Sequence, residues 1–251
     1  MEFTYTEYCN LLALIKKNEY RISDYIPAEI SNKSRNIILR HDIDVSLEKA
    51  VVFAELEANW GASSTYFILL TSEFYNPFSR ASKMLLDEIK SMGHSIGLHF
   101  DETCYFENGQ WDEDEMIGCI LREKELLESI IEDDVSTVSM HRPSKKTLDA
   151  DLRISGMENS YGKKYFRDIK YVSDSYHRWR EDIYNIIGCY DKIQLLTHPF
   201  WYNEMPRTRN ESLYALIEDS RENTKCLIES NLLPLGVSFS ESVEEDSIHE
   251  D

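Results

Sequence analysis

Residues 36–44 read Asn-Ile-Ile-Leu-Arg-His-Asp-Ile-Asp, an apolar run that ends in polar and charged side chains. Such a run predicts a buried strand. Residues 46–60 then have the apolar spacing of a helix, with Ser46 as N-cap and Gly61 just beyond the end. A strand followed by a helix is the repeating unit of a parallel sheet. The polar residues after the strand therefore fall where α/β proteins place their functional sites.

The same strand-and-helix step recurs along the chain. Further strands are predicted at 64–70, 95–100, 135–140, 192–197 and 233–239, weaker ones near 159–161 and 170–172, and helices at 79–92, 112–131 and 211–230. Seven or eight such steps favour a closed or nearly closed (β/α) barrel, with an open doubly wound sheet as the alternative. We predict one domain over residues 1–240 and a solvated acidic tail over residues 241–251.

Composition restricts the partners of the protein. The chain has 251 residues and a net charge of -19, which argues against binding to a nucleic-acid backbone. No window resembles a membrane span, and the first residues lack the basic start and apolar run of a secretory signal, so we expect a cytoplasmic protein. The five cysteines form no Cys-x-x-Cys pair, and we expect reduced thiols.

Carboxylates and histidines follow the predicted strands and suggest a metal site. Side chains alternate along a strand, so Asp42 and Asp44 can share one face, and His99 and Asp101 can share another. Asp44, His99 and Asp101 would then offer three ligands to Zn²⁺ or a similar divalent ion and leave room for water. The alternative for the Asp-x-Asp sequence is that it only caps the helix at Ser46.

Two further positions suggest proton transfer and anion contacts. His198 follows a buried strand and is a candidate acid for a leaving amine, with Asp42 as the base. Arg142 has the planar head that suits carboxylates, so it could orient a carboxylate or contact the substrate. Pairing of Arg142 with a surface acid is the structural alternative.

Four segments carry a resemblance to a known family. They are Leu39-Arg-His-Asp-Ile-Asp44, Gly93-His-Ser-Ile-Gly-Leu-His99, His141-Arg-Pro143 and Leu195-Leu-Thr-His-Pro199. In this order they make the sequence similar to the polysaccharide deacetylase superfamily over about residues 36–200. The resemblance implies a distorted (β/α) barrel of about seven parallel strands.

The resemblance also implies roles for individual residues. Asp42 would be the base, Asp44 and His99 metal ligands, Arg142 the residue that orients the catalytic aspartate, His198 the acid and Leu196 a wall of the acyl pocket. The family's second metal histidine is expected at position 103, which is Thr103 here, and Asp101 is our predicted replacement. Asp174 lies where the family has a residue that supports the histidine acid.

The implied activity is metal-dependent removal of an N-acetyl or other N-acyl group from a sugar. The expected metal is Zn²⁺, and the expected substrate is an intracellular N-acylated sugar or nucleotide sugar, a precursor of surface polysaccharide. His141 and Trp201 are predicted to contact the substrate, the latter by stacking on a sugar face. Two alternatives are a carbohydrate-binding barrel that has lost its metal and its activity, and a metal amidohydrolase for small amides.

Overall fold

A computed structural model describes residues 1–25 and 34–233. The strands are β1 (Arg21–Ile22), β2 (Asn36–Ile43), β3 (Thr65–Leu69), β4 (Ser95–Asp101), β5 (Thr137–His141), β6 (Glu158–Asn159), β7 (Lys170–Ser173) and β8 (Lys192–Thr197). The helices are α1 (Tyr5–Lys17), α2 (Leu47–Asn59), α3 (Arg80–Ser91), α4 (Glu113–Ile131), α5 (Lys145–Ala150), α6 (Lys163–Phe166), α7 (Ile183–Ile186) and α8 (Arg209–Leu232). Short 3₁₀ turns span Glu102–Cys104, Glu107–Gly109 and Pro199–Trp201.

The described strands form one parallel sheet that curls into a distorted barrel. Seven strands follow the order β6-β5-β4-β3-β2-β8-β7, and the two residues of β1 pair with the beginning of β2. The sheet ends at β6 and β7, but aromatic rings bridge these two edges: Tyr161 lies 6.2 Å and Phe166 lies 4.9 Å from Tyr171 between ring centroids. The predicted barrel of about seven parallel strands is confirmed.

Local signals in the sequence explain where the elements begin and end. Ser46 caps α2 by accepting the Lys49 amide, and Asp112 caps α4 by accepting the Asp114 amide. Gly61 follows α2 with a positive φ of 67°, a conformation that most side chains avoid. Residues 234–239 of the last predicted strand and the acidic tail at 241–251 lie outside the described residues.

The chain divides into two compact units, one from Met1 to Pro206 and one that begins at Arg207. The described part of the second unit is α8, whose N-terminus carries a capping box between Thr208 and Glu211. None of the described helices combines the length and apolarity needed to cross a membrane. All five cysteines lie within the described residues and are free.

Strand β2 runs through the centre of the sheet and is buried along its whole length. Arg40 and Asp42 point into the barrel, where they contact each other, while His41 points outward to α2. Outside the barrel, Glu57 of α2 is fully buried and lies 2.8 Å from His41 between Oε1 and Nε2. This contact fixes α2 against the back of the strand that carries the predicted catalytic residues.

The Glu57 carboxylate is the centre of a buried polar cluster. It accepts hydrogen bonds from the hydroxyls of Tyr8 (2.5 Å), Tyr66 (2.7 Å) and Ser64. Burial would raise the pKa of Glu57, but the charge of His41, its hydrogen bond and the remaining donors outweigh burial and lower the pKa to about 2. The cluster joins α1, α2, β2 and β3. Its three hydroxyl groups all donate to the carboxylate oxygens of Glu57.

We expect Glu57→Gln to destabilise the protein by about 3–5 kcal/mol, because an amide NH₂ would face groups that donate hydrogen bonds. The wild-type contribution of Glu57 is complete above its unfolded pKa of 4.5 and declines as the pH falls from there to about 2. Denaturant unfolding at pH 7 and pH 3 measures both effects. The matched control is Glu55→Gln, an exposed residue of the same helix. Equal stability of the two variants at pH 7 would contradict this role.

Candidate active site

Three polar side chains, those of Asp44, His99 and His141, meet at the carboxyl end of the strands. Asp44 follows β2, His99 lies near the end of β4 and His141 is the last residue of β5. Asp44 Oδ1 lies 3.1 Å from His99 Nε2 and 3.3 Å from His141 Nδ1, and the two ring nitrogens are 3.2 Å apart. All three ligand atoms lie within 4.8 Å of one another. This is a compact triad of one oxygen and two nitrogens.

The triad fits a divalent metal ion. Ligands placed 2.0–2.1 Å from a tetrahedral Zn²⁺ are about 3.3 Å apart, close to the three separations in the triad. Asp44 Oδ1 is buried and has no hydrogen-bond partner among the described residues, although it faces both imidazoles. His99 Nδ1 contacts Ser139 Oγ at 3.1 Å, an outer contact that orients the ring with Nε2 toward Asp44. The donor set and its geometry could hold a divalent ion.

Asp101 does not join this triad, so the candidate third ligand is His141 rather than the predicted Asp101. The Asp101 carboxylate caps the 3₁₀ turn that follows β4, accepting the Thr103 amide at 2.9 Å and the Thr103 hydroxyl at 2.7 Å. Thr103 stands where the family resemblance predicted a histidine, and it holds Asp101 away from the site. His141, predicted to contact substrate, is paired with Asp101 across the sheet and turns toward Asp44 instead.

Asp42 lies inside the barrel in a bidentate ion pair with Arg40. Arg40 Nε and Nη2 donate to the two carboxylate oxygens at 2.8 Å each, and both residues are buried. Burial would raise the pKa of Asp42, but the Arg40 charge and then the His99 charge lower it overall. His99 Nε2 lies 3.6 Å from Asp42 Oδ2, which places the predicted base directly beside the triad.

Arg142 does not orient Asp42; Arg40 has that position. Arg142 follows β5 with a positive φ of 47° and an exposed side chain, at the mouth of the barrel rather than inside it. Arg40 reaches Asp42 because residues two apart on a strand share a face. Arg40 Nη1 donates to Ser160 Oγ at 3.0 Å and Nη2 also donates to Ser139 Oγ, so each guanidinium nitrogen has an acceptor.

His198 faces the triad from β8 and is held by Asp174. Its Nδ1 lies 2.6 Å from Asp174 Oδ1, and its amide donates to Asp174 Oδ2 at 3.1 Å. Its Nε2 lies 4.0 Å from Asp44 Oδ2. Burial would lower the pKa of His198, but the charge and hydrogen bond of Asp174 raise it to about 9. The expected contact between Asp174 and His198 is present, and it favours a protonated imidazole at neutral pH.

Leu196 and Trp201 lie close to the site in sequence and differ in exposure. Leu196 pairs with Arg40 across the sheet, so its buried side chain points into the barrel as a pocket wall would. Trp201 is half-buried in the 3₁₀ turn after His198, and its ring lies 5.2 Å from that of His177. The roles of both residues in substrate binding stay predictions.

Three site residues were not predicted in the roles they occupy. Arg40 and Ser139 were not predicted, and His141 was expected to contact substrate. Strand alternation would have found Arg40, because it shares a face with Asp42. It would also have placed Ser139 and His141 on one face of β5. To know that β5 lies beside β4, however, one needs the order of the strands in the sheet, and the sequence pattern does not contain that order.

Comparison with known proteins gives matches among solved structures. A family 4 carbohydrate esterase from Bacillus anthracis is 16% identical, with a TM-score of 0.43, and the match covers 84% of this chain and 85% of that one. The Streptococcus pyogenes deacetylase PplD, solved in complex with acetate, is 13% identical, with a TM-score of 0.42 and coverage of 83% and 84%. No protein-family model matches the chain, and no curated protein is significantly similar.

A family 4 pseudoenzyme from Bacillus anthracis is also similar, at 12% identity and a TM-score of 0.42. The match covers 76% of this chain and 62% of the pseudoenzyme, so this chain spans less than two thirds of that protein's length. The matched structures are carbohydrate esterases and deacetylases, the group that the sequence motifs resemble.

We expect the protein to bind one divalent ion through Asp44, His99 and His141. Replacing any of the three by alanine removes a direct ligand, so we expect affinity for Zn²⁺ to fall more than about 100-fold. Asp101→Asn is the matched control, because that carboxylate is held by Thr103. Calorimetric titration of metal-free protein with Zn²⁺ measures the affinities. Retained affinity in His141→Ala, or a large loss in Asp101→Asn, would show that the third ligand is assigned incorrectly.

We expect Asp174→Asn to lower the pKa of His198 from about 9, because the mutation removes the charge that raises it. NMR titration of the imidazole signals of metal-free protein measures the change, with His198→Ala used to assign the signal. Asp168→Asn, at an exposed position before β7, serves as the control and should leave the titration unchanged. An unaltered His198 titration in Asp174→Asn would rule out Asp174 as the cause.

Proposed function

We propose that this protein is a metal-dependent hydrolase that removes an N-acetyl or other N-acyl group from a sugar. The observation that supports this most is the convergence of a metal-type triad with a buried carboxylate on one side and a carboxylate-held imidazole on another. Asp42 lies 3.6 Å from His99, and His198 lies 4.0 Å from Asp44, so both reach the same point. Hydrolysis of an amide needs a proton acceptor and a proton donor in this arrangement.

The protein's own residues would divide the proton transfers as follows. Asp42 takes a proton from the attacking water while the water oxygen bonds to the acyl carbon. His198 gives its proton to the nitrogen as the C–N bond breaks, which releases a carboxylic acid and a free amino sugar. The pKa of about 9 keeps His198 protonated before this step, because the Asp174 carboxylate stabilises the positive charge of the imidazole. Arg40 holds both oxygens of Asp42 and fixes the direction in which it accepts the proton.

Asp44, His99 and His141 would hold the metal, and we propose Zn²⁺ because one carboxylate and two imidazoles are ligands that it accepts. A divalent ion there would supply Lewis-acid activation of water and of the acyl oxygen. For the substrate we propose an N-acylated sugar or nucleotide sugar that serves as a precursor of surface polysaccharide. We also propose a cytoplasmic location, supported by the odd number of cysteines and the lack of a Cys-x-x-Cys pair.

One observation favours the second candidate, a carbohydrate-binding barrel without activity. Both oxygens of Asp42 accept hydrogen bonds from Arg40, and the lowered pKa makes Asp42 a weaker base. Because both Asp42 oxygens already accept a hydrogen bond from Arg40, one of them would have to accept a second hydrogen bond from the attacking water. The two candidates differ in turnover, which a direct assay resolves.

We expect zinc-loaded protein to release acetate from N-acetylated sugars, and Asp42→Asn and His198→Ala each to lower turnover about 10²–10⁴-fold. Acetate is measured over a panel of N-acetylated monosaccharides, oligosaccharides and nucleotide sugars at matched metal occupancy. Asp168→Asn is the control for loss of an exposed carboxylate. Near wild-type turnover in both variants would contradict the assigned roles. Sugar binding without release of any acyl group would favour the binding protein.

A further inference from the structure

Arg142 does not orient Asp42, so its side chain is available for another role. Arg40 already fills the place beside Asp42, and Arg142 follows the proposed ligand His141 directly. Its side chain is exposed, and it makes no ion pair with any described residue. Its left-handed backbone, with φ of 47°, is uncommon for a large side chain, and such strain is typical of ligand contacts. An unpaired guanidinium thus lies at the mouth of the site.

The charge of the surrounding sequence is opposite to that of the whole chain. Residues 142–180 contain ten Lys or Arg and five Asp or Glu, whereas the rest of the chain contains 17 basic and 41 acidic residues. This segment runs from the end of β5 to the loop after β7 and borders the open edges of the sheet. In a protein of net charge -19, this segment of net charge +5 contrasts with the acidic remainder, and those of its cations that border the site would attract anions.

Two more arginines stand on the loop that supports His198. The Arg178 amide donates to the Asp174 carbonyl at 3.1 Å and closes a turn. Asp174, at the start of this turn, is the residue that contacts the His198 imidazole. Tyr176 and His177 make this turn with positive φ values of 63° and 59°. The side chains of Arg178 and Arg180 are exposed, and neither forms an ion pair within the described part of the chain.

The two loops border the same opening. His141, at the start of one loop, lies 3.3 Å from Asp44 Oδ1, and His198, held by the other, lies 4.0 Å from Asp44 Oδ2. Nearby cations have carboxylate partners: Arg167 pairs with Asp149, and Lys170 pairs with Glu181. Arg142, Arg178 and Arg180, on the loops after β5 and β7, have no such partner within the described residues and can bind an external group. Guanidinium groups suit phosphate because they donate two parallel hydrogen bonds.

We propose that Arg142, together with Arg178 and Arg180, binds a phosphate group on the acylated sugar. The inference rests on the proposed function and narrows its substrate class to phosphorylated amino sugars, which include nucleotide sugars. The phosphate would lie outside the triad, against the arginines, while the acyl group enters between Asp44 and His198. The neutral sugar alone would lack this contact and bind more weakly.

The test compares N-acetylglucosamine with its 1-phosphate on zinc-loaded wild type, Arg142→Gln and Arg153→Gln. We expect wild type to favour the phosphorylated sugar in kcat/KM, and Arg142→Gln to reduce that preference about tenfold through KM. Arg153 is the matched control: it is exposed and belongs to the same basic segment, but it precedes β6 at the opposite end of the strands. The preference should decline as salt is raised.

Calorimetric binding of the same sugars and of inorganic phosphate separates this inference from the proposed function. If neither sugar is hydrolysed but the phosphorylated one binds more tightly, and Arg142→Gln removes that difference, the phosphate site stands and the hydrolase proposal fails. Equal kcat/KM or equal affinity for the two sugars in wild type overturns the inference. So does inorganic phosphate that binds as tightly as the sugar phosphate, because the site would then bind free phosphate.

Discussion

The buried ion pair between Arg40 and Asp42 is the interaction on which the interior of the barrel depends. Two charges taken out of water are costly, and the cost is met only when every donor and acceptor of the pair is satisfied. Arg40 therefore needs the Ser139 and Ser160 hydroxyls, and its flat faces lie near the rings of Tyr161 and Phe67, at 4.6 and 5.3 Å. Apolar residues of similar volume would often fill such a centre at lower cost, so the pair is not explained by stability alone.

The surrounding packing adapts to this pair. Gly97 of β4 has no side chain, and a Cβ there would lie 2.6 Å from the Phe67 ring and 2.6 Å from the Thr137 hydroxyl. A glycine in this strand thus lets Phe67 lie flat in the interior near the guanidinium. On the other side of β2, His41 and Glu57 bind the strand to its helix. Because strand side chains alternate, a slip of one residue would exchange the two charged clusters, so these contacts also fix the register of β2.

The sequence predicted the parts of the site that follow from alternation along a strand. The shared face of Asp42 and Asp44 and the position of His198 after β8 both follow from local periodicity. The third ligand could not be predicted, because Asp101 and His141 both lie at strand ends and only the turn after β4 decides between them. That turn binds Asp101 to Thr103 through contacts two residues apart. Likewise, Arg142 resembled an orienting arginine by position, but the left-handed turn after His141 directs the chain out of the barrel.

The border between β6 and β7 differs from the rest of the wall in what holds it together. Elsewhere neighbouring strands share backbone hydrogen bonds, so their spacing is set by the peptide unit and is the same for any sequence. At this border the described contacts are between rings, Tyr161 and Phe166 against Tyr171, and the spacing is set by the size of side chains. The bore of the barrel can therefore change by substitution at these aromatic positions without loss of a ladder bond. Phe166 and Tyr171 are the positions for such a change, because Tyr161 also lies 4.6 Å from the Arg40 guanidinium and its substitution would alter the surroundings of the buried ion pair.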